Sequence, residues 1–171
     1  WVEKIKQSQI LVFSGGFSAG DEPDGSAKFI VNVLKNEKMK NAVHELLSRD
    51  GMILGICNGF QALVKSGLLP YGEIRDLDET SPTLAHNAIG RHISQMVDVK
   101  VINDDSPWLK GMKGEVYTIP ISHGEGRFMA SEEVLLDLYK KGQIATQYID
   151  TDGNVAHGMP FNPNQSLFGI E

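Results

Sequence analysis

Met52-Ile53-Leu54-Gly55-Ile56-Cys57-Asn58-Gly59-Phe60-Gln61 decides how this chain folds. The apolar run Met52–Ile56 has the length and composition of a buried strand. It ends at Cys57, the only cysteine, and a helical segment (Gln61, Ala62, Leu63, Val64, Lys65) starts at once. Gly55 and Gly59 flank the cysteine at minus two and plus two. That spacing is the thiol form of a G-x-S-x-G nucleophile elbow. A strand that turns straight into a helix bends so tightly that its neighbours must be small. The thiol then projects at the strand's carboxyl end and at a helix N-terminus, whose partial positive charge attracts anions. A buried structural cysteine is the competing reading, but it does not require a glycine on each side.

Working outward, Ile10-Leu11-Val12-Phe13 reads as a second short strand, followed by the glycine-rich Ser14–Asp21. Residues 27–49 read as helix in two pieces, with Met39, Val43, Leu46 and Leu47 on one face and Gly51 as the stop. Residues 68–85 contain Pro70 and Pro82 and read as irregular. Alternation through Val97, Val99 and Val101 marks residues 93–102 as a strand with one wet face. Residues 116–121 form another strand, running into Ser122-His123-Gly124-Glu125-Gly126-Arg127. Ser131 is an N-cap, with Glu132 and Glu133 in the first turn and Gly142 as the stop. Residues 143–149 read as a strand, Asp152-Gly153 as a hairpin turn, and Leu167–Glu171 as the start of a further strand. Helices alternate with strands early and paired strands dominate later. The fold class is therefore α/β: a mostly parallel sheet with flanking helices and added antiparallel strands. In such sheets ligands collect at the carboxyl ends of strands, where the turns 14–20, 55–59 and 122–126 are placed.

At 171 residues the chain is one domain, 1–171, and 41% hydrophobic residues supply an ordinary core. A single cysteine excludes an internal disulfide and fits a reducing, cytoplasmic setting. Twenty-two acidic against 16 basic residues give a net charge of −6, and no Lys/Arg cluster offers nucleic acid a footprint. No apolar run approaches the ~18 residues of a membrane span. Both ends look cut: the chain opens at Trp1-Val2-Glu3-Lys4, almost directly before a strand, and closes on Glu171, so the domain reads as truncated at both ends.

A thiolate that attacks an amide carbonyl generates an oxyanion, which needs two donors, usually backbone N–H groups. Asn58, directly after the nucleophile, supplies one by the geometry of the elbow. The 14–20 turn is the natural source of the other. Taken singly, Gly15-Gly16 and Ser122-His123-Gly124 read as plain turns; with the elbow beside them they read as parts of a site.

This set of motifs resembles the class I (triad-type) glutamine amidotransferases, with their flavodoxin-like fold. Gly55–Gln61 resembles the family's nucleophile motif, and Ser14–Asp21 its oxyanion turn. Phe17-Ser18 after the glycines is similar to one branch, the glutaminase part of phosphoribosylformylglycinamidine synthase. So are Ile119–Arg127, Asn87-x-x-Gly90-Arg91 and Asn162-Pro163-Asn164. The resemblance covers nearly the whole chain. It implies ammonia release from glutamine through a cysteine thioester, for the ATP-dependent amidination of formylglycinamide ribonucleotide in purine synthesis. It implies Cys57 as nucleophile, Ser18 and Asn58 as oxyanion positions, and Gly16, Gln61, Ser122, Gly124 and Glu125 as the lining of the glutamine pocket. It also implies a synthetase domain or subunit as partner, which carries ATP and magnesium, and no cofactor in this domain.

The family's catalytic histidine, with a carboxylate two residues on, lies in a late motif expected after Glu171, so the fragment alone is expected to hydrolyse glutamine poorly. Gln165 stands where the family has glycine. Within the chain His123 is the only near competitor for the base, and its position matches a pocket wall. His44 reads as solvated on a helix surface and His157 as solvated in a loop. His86 and His92 have no helical metal spacing, and no metal is expected. Two other readings stay open: another elbow-cysteine hydrolase (a peptidase or γ-glutamyl hydrolase), and a non-catalytic docking domain.

Overall fold

The computed structural model describes residues 1–16 and 27–171, which form two units, Trp1–Glu79 and Thr80–Glu171. In the first, the elements are α1 (Val2–Gln7), β1 (Ile10–Phe13), α2 (Lys28–Lys35), α3 (Glu37–Ser48), β2 (Met52–Gly55), α4 (Asn58–Ser66) and the short α5 (Leu68–Tyr71). Strands β1 and β2 pair in parallel, with Ile10 opposite Met52 and Phe13 opposite Gly55. The expected two-piece helix is split at Asn36, whose extended backbone (ψ 130°) ends α2 and whose side chain caps α3 by accepting from Lys38 N–H at 3.1 Å. Val43 and Leu46 of α3 are fully buried in a cluster with Ile5, Leu34, Leu63, Leu68 and Ile74, and Leu11, Phe13 and Ile53 of the two strands pack onto it. Cutting such a leucine to alanine costs about 2–5 kcal/mol.

One expectation fails in this unit. His44 is not simply solvated: it is half-buried, and its Nε2 accepts the backbone N–H of Ile74 at 3.0 Å. The reason is its place on α3, one residue after the buried Val43, against the segment that carries the buried Ile74. The stretch 68–85, expected to be irregular, contains α5 here and a three-residue strand in the second unit.

The second unit contains β3 (Thr83–Ala85), β4 (Ile93–Val101), β5 (Val116–His123), β6 (Arg127–Met129), α6 (Glu132–Lys140) and β7 (Thr146–Tyr148). All its ladders are antiparallel: β3 pairs with β6, and β5-β4-β7 form a three-stranded sheet. In β4, Ile93, Val97, Val99 and Val101 are buried while Ser94 and Met96 are exposed, so one face is wet as the alternation requires. β5 lies at the end of the sheet, where Pro120 removes one donor from the outer edge. Ser131 caps α6 by accepting from Val134 N–H at 3.3 Å, and Gly142 ends it at φ 66°. The Asp152-Gly153 turn is present, with Asp150 Oδ1 accepting from Asp152 and Asn154 N–H, both at 2.9 Å. Leu167–Gly169 is a tight helical turn rather than a strand, because Phe168 (φ 56°) and Gly169 (φ 63°) both take left-handed backbone; only Ile170 bridges, to Gln147.

Candidate active site

Cys57 stands between β2 and α4 with φ 54° and ψ −113°. These are values of the first central residue of a type II′ turn, where glycine is otherwise the rule. Holding a side chain there costs on the order of 1–3 kcal/mol, which the surrounding packing must offset. The packing explains each flanking glycine. A Cβ on Gly59 would collide with the carbonyl group of Phe13, at the end of β1, lying 2.6 Å from its carbon. A Cβ on Gly55 would lie 2.7 Å from Leu63 Cδ1 and 2.8 Å from the Gly59 carbonyl. The two glycines let α4 press onto the ends of both strands, and the turn has no other room. Ile56 N–H donates to Phe13 O at 2.9 Å, Gly59 N–H to Ile56 O at 2.9 Å, and Gln61 N–H to Cys57 O at 3.1 Å. The helical ladder thus starts at Gln61. Cys57 is exposed, while Asn58 and Gln61 are buried.

β1 delivers a second group to this point. Gly15 backs directly onto the cysteine: a Cβ there would lie 3.0 Å from Cys57 Cβ and 3.7 Å from Sγ. Gly16 takes φ 111°, which favours glycine, and nothing lies within 4 Å of where its Cβ would be. Gly15, not Gly16, is therefore the contact with the thiol. The parallel register carries this information, because a constant offset pairs Phe13 with Gly55 and extends to Gly15 beside Cys57. Ser18, the other expected oxyanion position, lies outside the described residues.

Ser122, Gly124 and Glu125 belong to the second unit, at the end of β5 and the turn after it. Ser122 is exposed, its Oγ 2.9 Å from His92 Nε2; Gly124 and Glu125 are half-buried. Beneath the turn lies a polar cluster that sequence reasoning noted as motifs without a role. Asn87 is buried and fully used. Its Nδ2 donates to Arg91 O (3.0 Å) and His123 O (2.8 Å), its N–H donates to Gly124 O (2.9 Å), and its Oδ1 lies 3.1 Å from His123 Nδ1 and 3.4 Å from Gly126 N. Asn164 Nδ2 donates to Gly126 O at 2.8 Å and to Tyr148 Oη at 3.2 Å, and lies 3.5 Å from His123 Nε2. Ser166 completes the cluster, receiving Phe128 N–H on its Oγ at 3.0 Å.

The tautomer of His123 follows. Both Asn87 Nδ2 hydrogens go to carbonyls, so Asn87 Oδ1 faces the ring and Nδ1 must donate. Nε2 then keeps its lone pair towards Asn164. Burial of the ring, with His92 close by, lowers the His123 pKa and keeps it neutral. A Cβ on Gly126 would lie 2.8 Å from the same ring. His123 is held as a strut. Among the described residues no cluster of three or more His, Cys, Asp or Glu side chains could hold a metal ion, and no helix is long and apolar enough to cross a membrane.

A lone exposed thiol on a strained strand-to-helix turn, packed between glycines at the end of a parallel strand pair, defines an α/β domain built to present a cysteine. The chain belongs to the CobB/CobQ-like glutamine amidotransferase domain family, whose model matches residues 2–171. It is 40% identical over 178 residues to the phosphoribosylformylglycinamidine synthase subunit PurQ of Treponema denticola, covering 96% of this chain and 65% of that protein. It is 34% identical to the PurQ subunit of Methanococcus maripaludis, covering 98% of this chain and 60% of that one. Against the phosphoribosylformylglycinamidine synthase of Dictyostelium discoideum it is 34% identical over 94% of this chain but 12% of the relative. A solved structure of PurLQS from Thermotoga maritima superposes with a TM-score of 0.62 at 29% identity, over 86% of this chain and 61% of that one. The chain thus spans less than two thirds of the length of each of these relatives.

Proposed function

We propose that this chain is the glutaminase part of a phosphoribosylformylglycinamidine synthase. The observation that carries this reading is the backbone of Cys57, strained to φ 54° in a turn whose glycines have no space for a side chain. Cys57 Sγ attacks the side-chain amide carbonyl of glutamine. The C–N bond breaks, the amide nitrogen leaves as ammonia, and a γ-glutamyl thioester remains for water to hydrolyse to glutamate. Asn58 and Ser18 are the oxyanion positions of this reading, which each tetrahedral intermediate requires. The family resemblance offers Gly16, Gln61, Ser122, Gly124 and Glu125 as glutamine-binding residues. The thiol proton goes to the family's late histidine, while His123 Nδ1 donates to Asn87 Oδ1. The ammonia passes to a synthetase part, which brings ATP and magnesium to amidinate formylglycinamide ribonucleotide. The setting is the cytoplasm.

The test is labelling of the full-length gene product by a glutamine-mimicking chloroketone or diazo ketone. The expected result is one covalent adduct at Cys57, prevented by excess glutamine and absent in Cys57→Ser. Labelling that persists in Cys57→Ser removes the nucleophile assignment. Faster turnover of γ-glutamyl peptides than of glutamine would place the protein among the elbow hydrolases instead.

A further inference from the structure

We propose that His44 is a pH-sensitive latch on segment 72–76, closed while its ring is neutral and released when the ring takes up a proton. The latch lies wholly within the unit Trp1–Glu79 and does not depend on the glutaminase reading.

The segment follows α5 and turns back onto the end of α4. A Cβ on Gly67, the C-cap of α4, would lie 2.6 Å from Arg75 Cγ and 3.0 Å from Glu73 O. Two amides fasten the segment. Arg75 N–H donates to Ser66 O at 3.0 Å, taking one of the carbonyls that the end of a helix leaves without an intrahelical partner. Ile74 N–H donates to His44 Nε2 at 3.0 Å, from a residue only 2% exposed whose side chain belongs to the same core cluster as Val43 and Leu46. The first bond joins backbone to backbone and holds no titratable group. The second ends on an imidazole.

A ring nitrogen that accepts an N–H bond must carry a lone pair, so His44 is the neutral tautomer with its proton on Nδ1. Protonation places a hydrogen on Nε2 as well. The acceptor becomes a donor facing a donor, and the Ile74 amide loses its partner. A buried donor without an acceptor is costly, so the segment parts from α3 until water replaces the ring. The charged groups around it are of other kinds. Lys40 precedes His44 by one turn of α3, and Lys65 lies on α4. Glu45 of α3 pairs with Lys6 of α1 at 3.3 Å, Asp76 with Lys35 of α2 at 2.8 Å, and Arg75 lies 3.9 Å from Glu73. Histidine alone among these side-chain types changes charge between about pH 5 and pH 8. The latch is therefore closed above the titration of His44 and open below it. Opening loosens the cap of α4 at the end opposite Cys57.

The test is amide hydrogen exchange of the full-length gene product, followed by NMR from about pH 8 down to about pH 5, the histidine range. Each amide is expressed as protection relative to its intrinsic rate at that pH, and the His44 ring protons are read in the same samples. Protection of the Ile74 amide is expected to fall about tenfold, in step with the ring signal, the order expected for one lost buried hydrogen bond. The Gly51 amide, which donates to Leu46 O at 3.0 Å beyond the end of α3, keeps its protection, as local opening requires. His44→Gln offers an acceptor that does not titrate and removes the pH dependence at Ile74. His44→Phe offers none and lowers Ile74 protection at every pH. Unchanged Ile74 protection through the His44 titration overturns the proposal. So does a pH-dependent fall that persists in His44→Gln, and so does an equal fall at Gly51, which would be loosening of the whole unit. Should His44→Phe fail to fold, the wild type and His44→Gln decide between these outcomes.

Discussion

Gly15 and Cys57 face each other across the ends of two parallel strands, so closely that a methyl group on Gly15 would sit 3.0 Å from Cys57 Cβ and 3.7 Å from its sulfur. One strand carries the thiol and its neighbour leaves the space that the thiol occupies. The adjacent Gly16 has a different need: open space around it, but a φ of 111°.

These two glycines therefore fail in different ways. Gly15→Ala crowds the thiol, and alkylation of Cys57 by a bulky maleimide is expected to slow by about tenfold, with a stability cost at the low end of the ~1–3 kcal/mol of overpacking. Gly16→Ala leaves the thiol alone and costs about 1 kcal/mol through its backbone. Alkylation rates and urea midpoints measured side by side separate the two; equal slowing of alkylation in both variants would contradict the contact.

Gly59→Ala meets backbone rather than a yielding side chain, since its Cβ would run into the Phe13 carbonyl. The expected loss is about 3 kcal/mol, the upper range of overpacking, because α4 must lift from β1. Urea unfolding checks it. A loss below about 1 kcal/mol would mean that the helix slides freely over the strand end, contrary to its packing.

The elbow was legible because its glycines are demanded by local backbone approach, and a sequence displays such demands directly. The two-piece helix expected over residues 27–49 was legible from its period, and the structure places its break at Asn36. The role of Gly15 was hidden because it depends on register between strands 42 residues apart, known only once Ile10 is seen opposite Met52. The Asn87–His123–Asn164 cluster was hidden for a similar reason: each asparagine alone reads as a turn residue, and its partners lie 36 to 41 residues away. Strands β3 and β6 were missed because three-residue ladders leave no periodicity to detect.

Cys57 itself provides a reversal of ordinary propensity. At most positions glycine is less stable than alanine by about 0.5–1 kcal/mol. At φ 54°, ψ −113° the order inverts, because alanine keeps the Cβ that the backbone disfavours. Cys57→Gly is expected to exceed Cys57→Ala in unfolding free energy by about 1 kcal/mol, within the range of such strain. Both variants lose all covalent labelling. An alanine variant as stable as the glycine one would show that the turn relaxes around its residue and stores no strain for the thiol.

His123 gives the pH dependence a sign. Its folded-state pKa lies below the ordinary 6.5, chiefly through burial and further through His92. The unfolded chain therefore takes up the proton first as pH falls, and stability rises with pH wherever the unfolded state binds more protons. The contribution of neutral His123 is fully present above the unfolded-state value and is lost progressively as pH drops below it towards the folded-state value. Urea midpoints of the wild type should fall as the pH drops below about 6.5, the ordinary histidine value. His123→Gln is less stable than the wild type at neutral pH but removes this titration. Its midpoint should change less over the same interval, so that the two curves converge on the acid side. Parallel curves would place the titration elsewhere and leave His123 without the buried, neutral state that its bonds to Asn87 and Asn164 require.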